Sequence, residues 1–386
     1  MRIKHLYFKI IFGIIIGLIC SMEFNSVNYS LAITNNYPSS RYGHEMVYDS
    51  KNNLTILFGG ENTGINHKNL QSTWKFSSQS QDWLKIDNSI SPSCRIGHKM
   101  IFNSITGKIL LFGGMEIEDY IRKNDMWEFD PLNNEWTELY PDVVPSARSD
   151  HAMYFDAKFN IVVLFGGYLA NDQLSSETWI YNCSSGNWHQ INPVIHPTIR
   201  YGHEFVYDSN QNVGVFFGGR EIGLTSETWI FNFSSLNWKK LSPSTIPKTR
   251  YFFAMAYDHF ESKIIMFGGD NEQSTLRALD DTWTFNTSTE NWFEVSPSIK
   301  PLPRNNHNMI FDSNLNKTLL FGGLGEDYNY VFDDFWSYDS TLGEWILLEF
   351  NSNNNNWWII LVSIIGPLSV ILIVIAVSII RRNKKN

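Results

Sequence analysis

Cysteine is scarce in this 386-residue chain, with three in all and only Cys94 and Cys183 beyond residue 32. No disulfide framework is available to staple the fold, and both thiols are expected to be free. Charge is low as well, at 18% of residues, and basic charge is short where it would matter. Seven of the 30 basic residues lie within 1–9 and 381–386, which hold no acid, leaving 23 to set against 39 acidic residues. Phosphate binding needs the opposite sign, so the balance argues against a nucleic-acid partner. A nucleophile–base pairing, a phosphate-cradling loop and the alternating carboxylates of a calcium loop are also missing. The sequence therefore names no catalytic residue, no metal site and no cofactor.

Long apolar runs are few, and both lie at the ends. Arg2, Lys4 and Lys9 precede the apolar stretch from Ile10 to Cys20, and Ser30-Leu31-Ala32 offers a small-residue cleavage pattern. Residues 1–32 read as a signal peptide, with an uncleaved signal anchor as the alternative. Residues 357–380 carry no charge and are long enough to cross a bilayer. Trp357 and Trp358 suit one interface, and the basic tail 381–386 suits the cytoplasmic side of the other. The expectation is a single-pass protein of the cell membrane. Its body, residues 33–349, would stand on the outer, non-cytoplasmic side above an Asn-rich linker, 350–356.

What fills that body is repetition. A doubled glycine recurs six times, at Gly59, Gly113, Gly166, Gly218, Gly268 and Gly322 with the residue after each. An arginine always stands 18 positions earlier: Arg41, Arg95, Arg148, Arg200, Arg250 and Arg304. Two tryptophans follow, always nine apart, from Trp74 and Trp83 to Trp336 and Trp345, and each next arginine comes 12 after the second of them. Only the segment between glycine pair and first tryptophan varies in length. Each unit holds four strand-like runs, such as "EFVYD", "VGVFFGG", "TWIFN" and "WKKL", set off by Asn, Asp, Ser, Gly and Pro.

A period of roughly 50 residues with this punctuation resembles the kelch repeat. The resemblance covers all six units and implies an all-β, six-bladed kelch-type β-propeller. One four-stranded sheet cannot bury both faces, whereas six around an axis can. The paired tryptophans then read as filling between blades, and truncating a buried one to alanine should cost about 3–5 kcal/mol. The sixth repeat has its own Trp336 and Trp345, so closure should be edge to edge, without a strand borrowed from the other end. Asp49, Asp156, Asp208, Asp258 and Asp312, with Asn103 as the variant, fall at turns and should bond local backbone amides. His44, His98, His151, His203 and His307 all stand three after the arginine, with Phe253 in the fifth unit, and read as structural.

The resemblance also marks candidate ligand-binding residues. In kelch propellers the arginines that open the innermost strand often ring the channel mouth and bind carboxylates. That makes Arg41, Arg95, Arg148, Arg200, Arg250 and Arg304 candidates, against a purely structural role in ion pairs. The variable loops, which in the family share a face with the blade-to-blade connections, supply Tyr120, Tyr168, Tyr328 and Tyr330 among many acids. Loops on a rigid scaffold are where binding usually lives, and tyrosine brings contact area at small entropic cost. The reading is a cell-surface binding module for a protein or glycan, with the partner in the same membrane as one geometry. A channel enzyme of the sialic-acid epimerase type and a passive spacer are the alternatives.

Overall fold

The computed structural model describes residues 37–62, 68–272, 277–326 and 330–348. The signal segment 1–32, the linker 350–356, the apolar run 357–380 and the tail 381–386 lie outside these residues. Among the described residues no helix is long and apolar enough to cross a membrane.

Each repeat becomes one antiparallel sheet of four strands in sequence order, and there are six such sheets. The first strands are Glu45–Asp49, Lys99–Asn103, Ala152–Asp156, Glu204–Asp208, Ala254–Asp258 and Asn308–Asp312. They line the axis and neighbour one another around it. Second strands such as Ile161–Phe165 are buried along their whole length, which explains their unbroken apolar sequence. Fourth strands such as Asn187–Ile191 bury little beyond their tryptophan.

The core is divided into six layers, one between each pair of blades. Phe58 of the first blade, for example, meets Trp136 of the second with ring centroids 5.1 Å apart. The indole of that second tryptophan finds a partner on the blade before. Trp136, Trp292 and Trp345 donate to Thr73, Thr228 and Thr282 at 2.9–3.0 Å, and Trp238 donates to Thr178 at 3.3 Å. Met126 and Phe335 occupy the threonine position in the other two cases, and the Nε1 atoms of Trp188 and Trp83 are left without a partner.

The glycine pair sits where the next blade presses closest. Gly166 has φ of 69°, and a Cβ there would lie 2.8 Å from both the Arg200 carbonyl and the His203 ring. The histidines are spacers at that contact. His98 meets Phe58 edge-on at 5.7 Å, and Phe253 meets Phe217 in the same way at 5.6 Å in the fifth unit. The turn carboxylates behave as expected: Asp208 accepts the amides of Asn210 and Gln211 at 2.9 and 3.0 Å. Cys94 and Cys183 are free and half-buried.

Closure is edge to edge. The sixth and first blades share an apolar layer in which Trp83, Phe321 and Phe335 pack together. Tyr37, at the start of the described chain, and Leu348, at its end, both pack on that layer. A belt of backbone hydrogen bonds ties the blades together nearer the axis. Gly97, Asp150, Gly202, Phe252 and Asn306 each donate to the carbonyl of the preceding blade's belt residue, at 2.8–3.2 Å. Gly43 completes the circuit by donating to Asn306 at 2.9 Å.

Candidate functional site

The six arginines do not ring an open mouth. Each is no more than 1% exposed, and its donors are spent inside its own blade. Nε bonds the carbonyl two residues earlier at 2.9–3.1 Å. Nη1 bonds the first glycine of the doublet at 2.8–3.1 Å. The remaining donors take an acid two positions before the first tryptophan. Arg95, Arg250 and Arg304 grip Asp125, Asp281 and Asp334 with both terminal nitrogens at 2.5–2.8 Å. Arg148 and Arg200 reach Glu177 and Glu227 at 2.6 and 2.7 Å.

The same carboxylates accept the indole of that tryptophan, as Asp281 does from Trp283 at 2.7 Å. Burial works against the Asp125 and Asp281 carboxylates, and their arginine bonds more than offset it, holding both below the usual range. Arg41 has Ser72 at 3.4 Å in place of an acid, and burial pulls its guanidinium down to about 9. In this structure the six side chains are internal struts of the blades, the ion-pair role that stood beside ligand binding as the alternative.

The variable loops do share a face with the blade-to-blade connections. Gln71 donates to the Pro92 carbonyl at 2.9 Å, and Ala170 to that of Ala147 at 3.0 Å. On this face Tyr120 is 70% exposed and Tyr330, resting edge-on against Phe332, is 57% exposed. Tyr328 lies outside the described residues. Tyr168 is half-buried, with the Arg122 guanidinium stacked 4.1 Å over its ring.

Tyr168 belongs to a larger array. It meets Tyr201 edge-on at 5.4 Å, Tyr201 meets Tyr251 at 6.0 Å, and Phe252 packs against both of these. Arg220 closes the far side, bonding the Tyr201 hydroxyl at 2.9 Å and Glu272 at 3.2 Å. Burial raises the Tyr201 phenol, so it remains a neutral donor. Arg122 and Lys123 are likewise held by Asp172 and Glu116, at 3.2 and 2.5 Å. Across blades three to five this makes an aromatic platform framed by two arginines, with acids around them.

Tyr201, Tyr251, Arg122 and Arg220 were missed as candidates from sequence. The available signal was the residue directly after each arginine, which reads Tyr42, Ile96, Ser149, Tyr201, Tyr251 and Asn305. This position varies between the arginine and the histidine that recur in nearly every unit. Among the described residues no group of three or more His, Cys, Asp or Glu side chains is placed to hold a metal ion.

The model of the KLHDC2/KLHL20/DRC7 kelch-repeats domain matches residues 19–196 and 158–357. The chain belongs to the kelch-repeat family. Among curated proteins, the kelch propeller is similar to Mei4-dependent protein 6 of Schizosaccharomyces pombe, with 29% identity over 47% of this chain and 28% of that protein. An F-box/kelch-repeat protein of Arabidopsis thaliana is 31% identical over 49% of this chain and 41% of its own length. Multiple epidermal growth factor-like domains protein 8 of Homo sapiens is 28% identical over 47% of this chain and 6% of its own length. Kelch propellers generally serve as protein-interaction modules, and each match spans less than half of the relative concerned.

Proposed function

We propose that this kelch propeller is a cell-surface binding module that engages another protein through its loop face. The observation that carries the reading is the platform of half-buried Tyr168, Tyr201 and Phe252, backed by buried Tyr251 and framed by Arg122 and Arg220. Aromatic rings and arginine are the side chains that most often anchor interfaces, because they desolvate large areas with little loss of freedom. Asp172 and Glu272 pair with the platform's two arginines and Glu116 with the neighbouring Lys123, which favours a partner with basic residues at its rim.

Display at a membrane rests on the sequence of the two ends, the basic-then-apolar start and the uncharged run 357–380. The fourth strand of the sixth blade, Glu344–Leu347, runs toward the loop face. The eight residues 349–356 reach at most about 26–29 Å. The platform would then lie toward the bilayer, which suits a partner in the same membrane.

The test is capture from a membrane-protein extract by the full chain in detergent, beside a glycan array. A saturable protein partner should be lost with Tyr201→Ala and weakened at least tenfold with Tyr120→Ala. A partner retained by the Tyr201→Ala variant would sink the platform reading. A glycan bound in its place would keep the face and change the ligand class.

A further inference from the structure

The axial channel is a second and separate space. Belt residues linked about 5 Å apart form a hexagon of similar radius, leaving a bore of about 3 Å radius once atoms are given their size. Below the belt lies a void of about 50 Å³, and then a floor made by the first residues of the first strands, Glu45, Lys99, Glu204 and Asn308. Past the floor the channel widens into a cavity of about 370 Å³, a size that suits a small ligand. Ser50, Ser104, Ser209 and His259 line it in the turns after the first strands, so it opens on the face opposite the variable loops. Tyr48, Tyr207, Tyr257, Met100, Met153 and Met255 line its walls.

The floor has more acceptors than donors. Lys99 is committed to Glu204 at 2.8 Å and to Glu45 at 3.3 Å. Asn308 is 7% exposed, borders both spaces, and its Oδ1 has no hydrogen-bond partner. A buried acceptor without a donor carries its full desolvation cost, and a ligand can relieve it. The matching positions of the third and fifth blades are Ala152 and Ala254, which leave room beside the charged groups. An anion seated here would meet two carboxyl groups and an amide oxygen against one lysine that is already paired.

We propose that the channel binds a small organic amine. Its ammonium group sits among Glu204, Glu45 and the Asn308 oxygen, and its apolar body lies between the tyrosines and methionines of the wall. This site does not depend on the loop-face platform.

Protonation follows from the same geometry. Burial pulls the Lys99 ammonium down, and Glu204 with Glu45 more than restores it, so the lysine stays charged. Burial pushes the Glu45 carboxyl up to about 8, assisted by Glu204 and opposed by Lys99 and Asn308. His44, His98, His151 and His307, between the floor and the belt, are held neutral by burial, and burial pushes the Asp150 carboxyl in the belt up. Ala152 and Ala254 add no charge. Glu45 therefore keeps its proton at pH 7, and an arriving ammonium ion displaces that proton to solvent. Affinity rises with pH up to about 8 and then levels off.

Calorimetry on the full chain in detergent tests this, with 2-phenylethylamine as probe and uncharged 2-phenylethanol as control. Expected are saturable binding of the amine, at least tenfold weaker binding of the alcohol, and proton release at pH 7 seen by comparing buffers of different ionisation heat. Glu204→Gln should weaken the amine at least tenfold. Ser209→Trp, exposed at the mouth and away from the floor, should block entry while leaving the fold intact by circular dichroism. Tyr330→Ala, on the opposite face, should leave amine binding unchanged. Equal affinity for amine and alcohol, unaltered binding by the Ser209→Trp variant, or no saturation at millimolar amine would each overturn the proposal.

Discussion

His44, His98, His151, His203 and His307 carry a consequence that their packing role alone does not show. Burial holds all five imidazoles well below their ordinary value, so the folded protein keeps them neutral. The unfolded chain protonates them near pH 6.5. Their folded values are depressed, so the stability they contribute is complete above pH 6.5 and falls as pH drops below it. At pH 5.5 each costs on the order of 1 kcal/mol, and the five together several kcal/mol, a sizeable share of the stability of many domains. Denaturant unfolding across this range should show ΔG falling steeply with acid. His151→Phe, which copies Phe253 of the fifth blade, should reduce the slope between pH 6.5 and 5 by about one proton. An unchanged slope would mean that His151 is protonated in the folded state. The structural role of these histidines was legible from their regular place and from the phenylalanine that replaces one of them. The arginines were less legible. Their partners, Asp125, Glu177, Glu227, Asp281 and Asp334, lie at the end of the segment that varies in length, where they read as loop acids rather than struts.

Among the elements, the third strand shows how one position tunes the joint between blades. Where it begins with Thr73, Thr178, Thr228 or Thr282, the hydroxyl receives the next blade's indole, and where it begins with Met126 or Phe335 the indole goes unpaired. Thr228→Val keeps the shape and removes the acceptor, leaving the Trp292 donor buried without a partner. The expected cost is about 1–3 kcal/mol by denaturant unfolding. Thr228→Val in a Trp292→Phe background should cost much less, because the donor is gone as well. Equal costs in both backgrounds would show that the hydrogen bond contributes nothing. The strands themselves were readable because the arginine, glycine and tryptophan spacings never change. The aromatic platform was not, because Tyr168, Tyr201 and Tyr251 come from three different repeats. Nothing in a linear pattern brings them side by side.

For the whole molecule, edge-to-edge closure makes the six junctions alike. Tyr37 and Leu348 pack on one apolar layer between the sixth and first blades, so the described ends meet at a junction and no blade is shared between them. A chain joined from 348 to 37 by a short linker and opened between Val194 and Ile195, both exposed, should fold to the same propeller. Its thermal midpoint should fall within a few degrees of the parent. Opening between Ser184 and Ser185 instead detaches a fourth strand from its blade, and that permutant should melt well below the first. Equal midpoints would show that intact blades do not matter to closure. The channel floor belongs to this scale too. Glu45, Lys99, Glu204 and Asn308 occupy one register in four repeats, and their variation gains meaning only when the ring gathers the first strands around an axis.

The belt of six hydrogen bonds runs head to tail, every amide giving to the blade before it and the last returning to the first. In a helix the peptide dipoles add along a line and leave a partial charge at each end. Around a circle they cancel, as in a current loop with no terminals. The belt backbone consequently adds little electrostatic pole of its own to the narrow end of the channel. Whatever sign of charge the channel prefers is decided by the side chains that break the sixfold repetition, Asp150 in the belt and the floor residues below it.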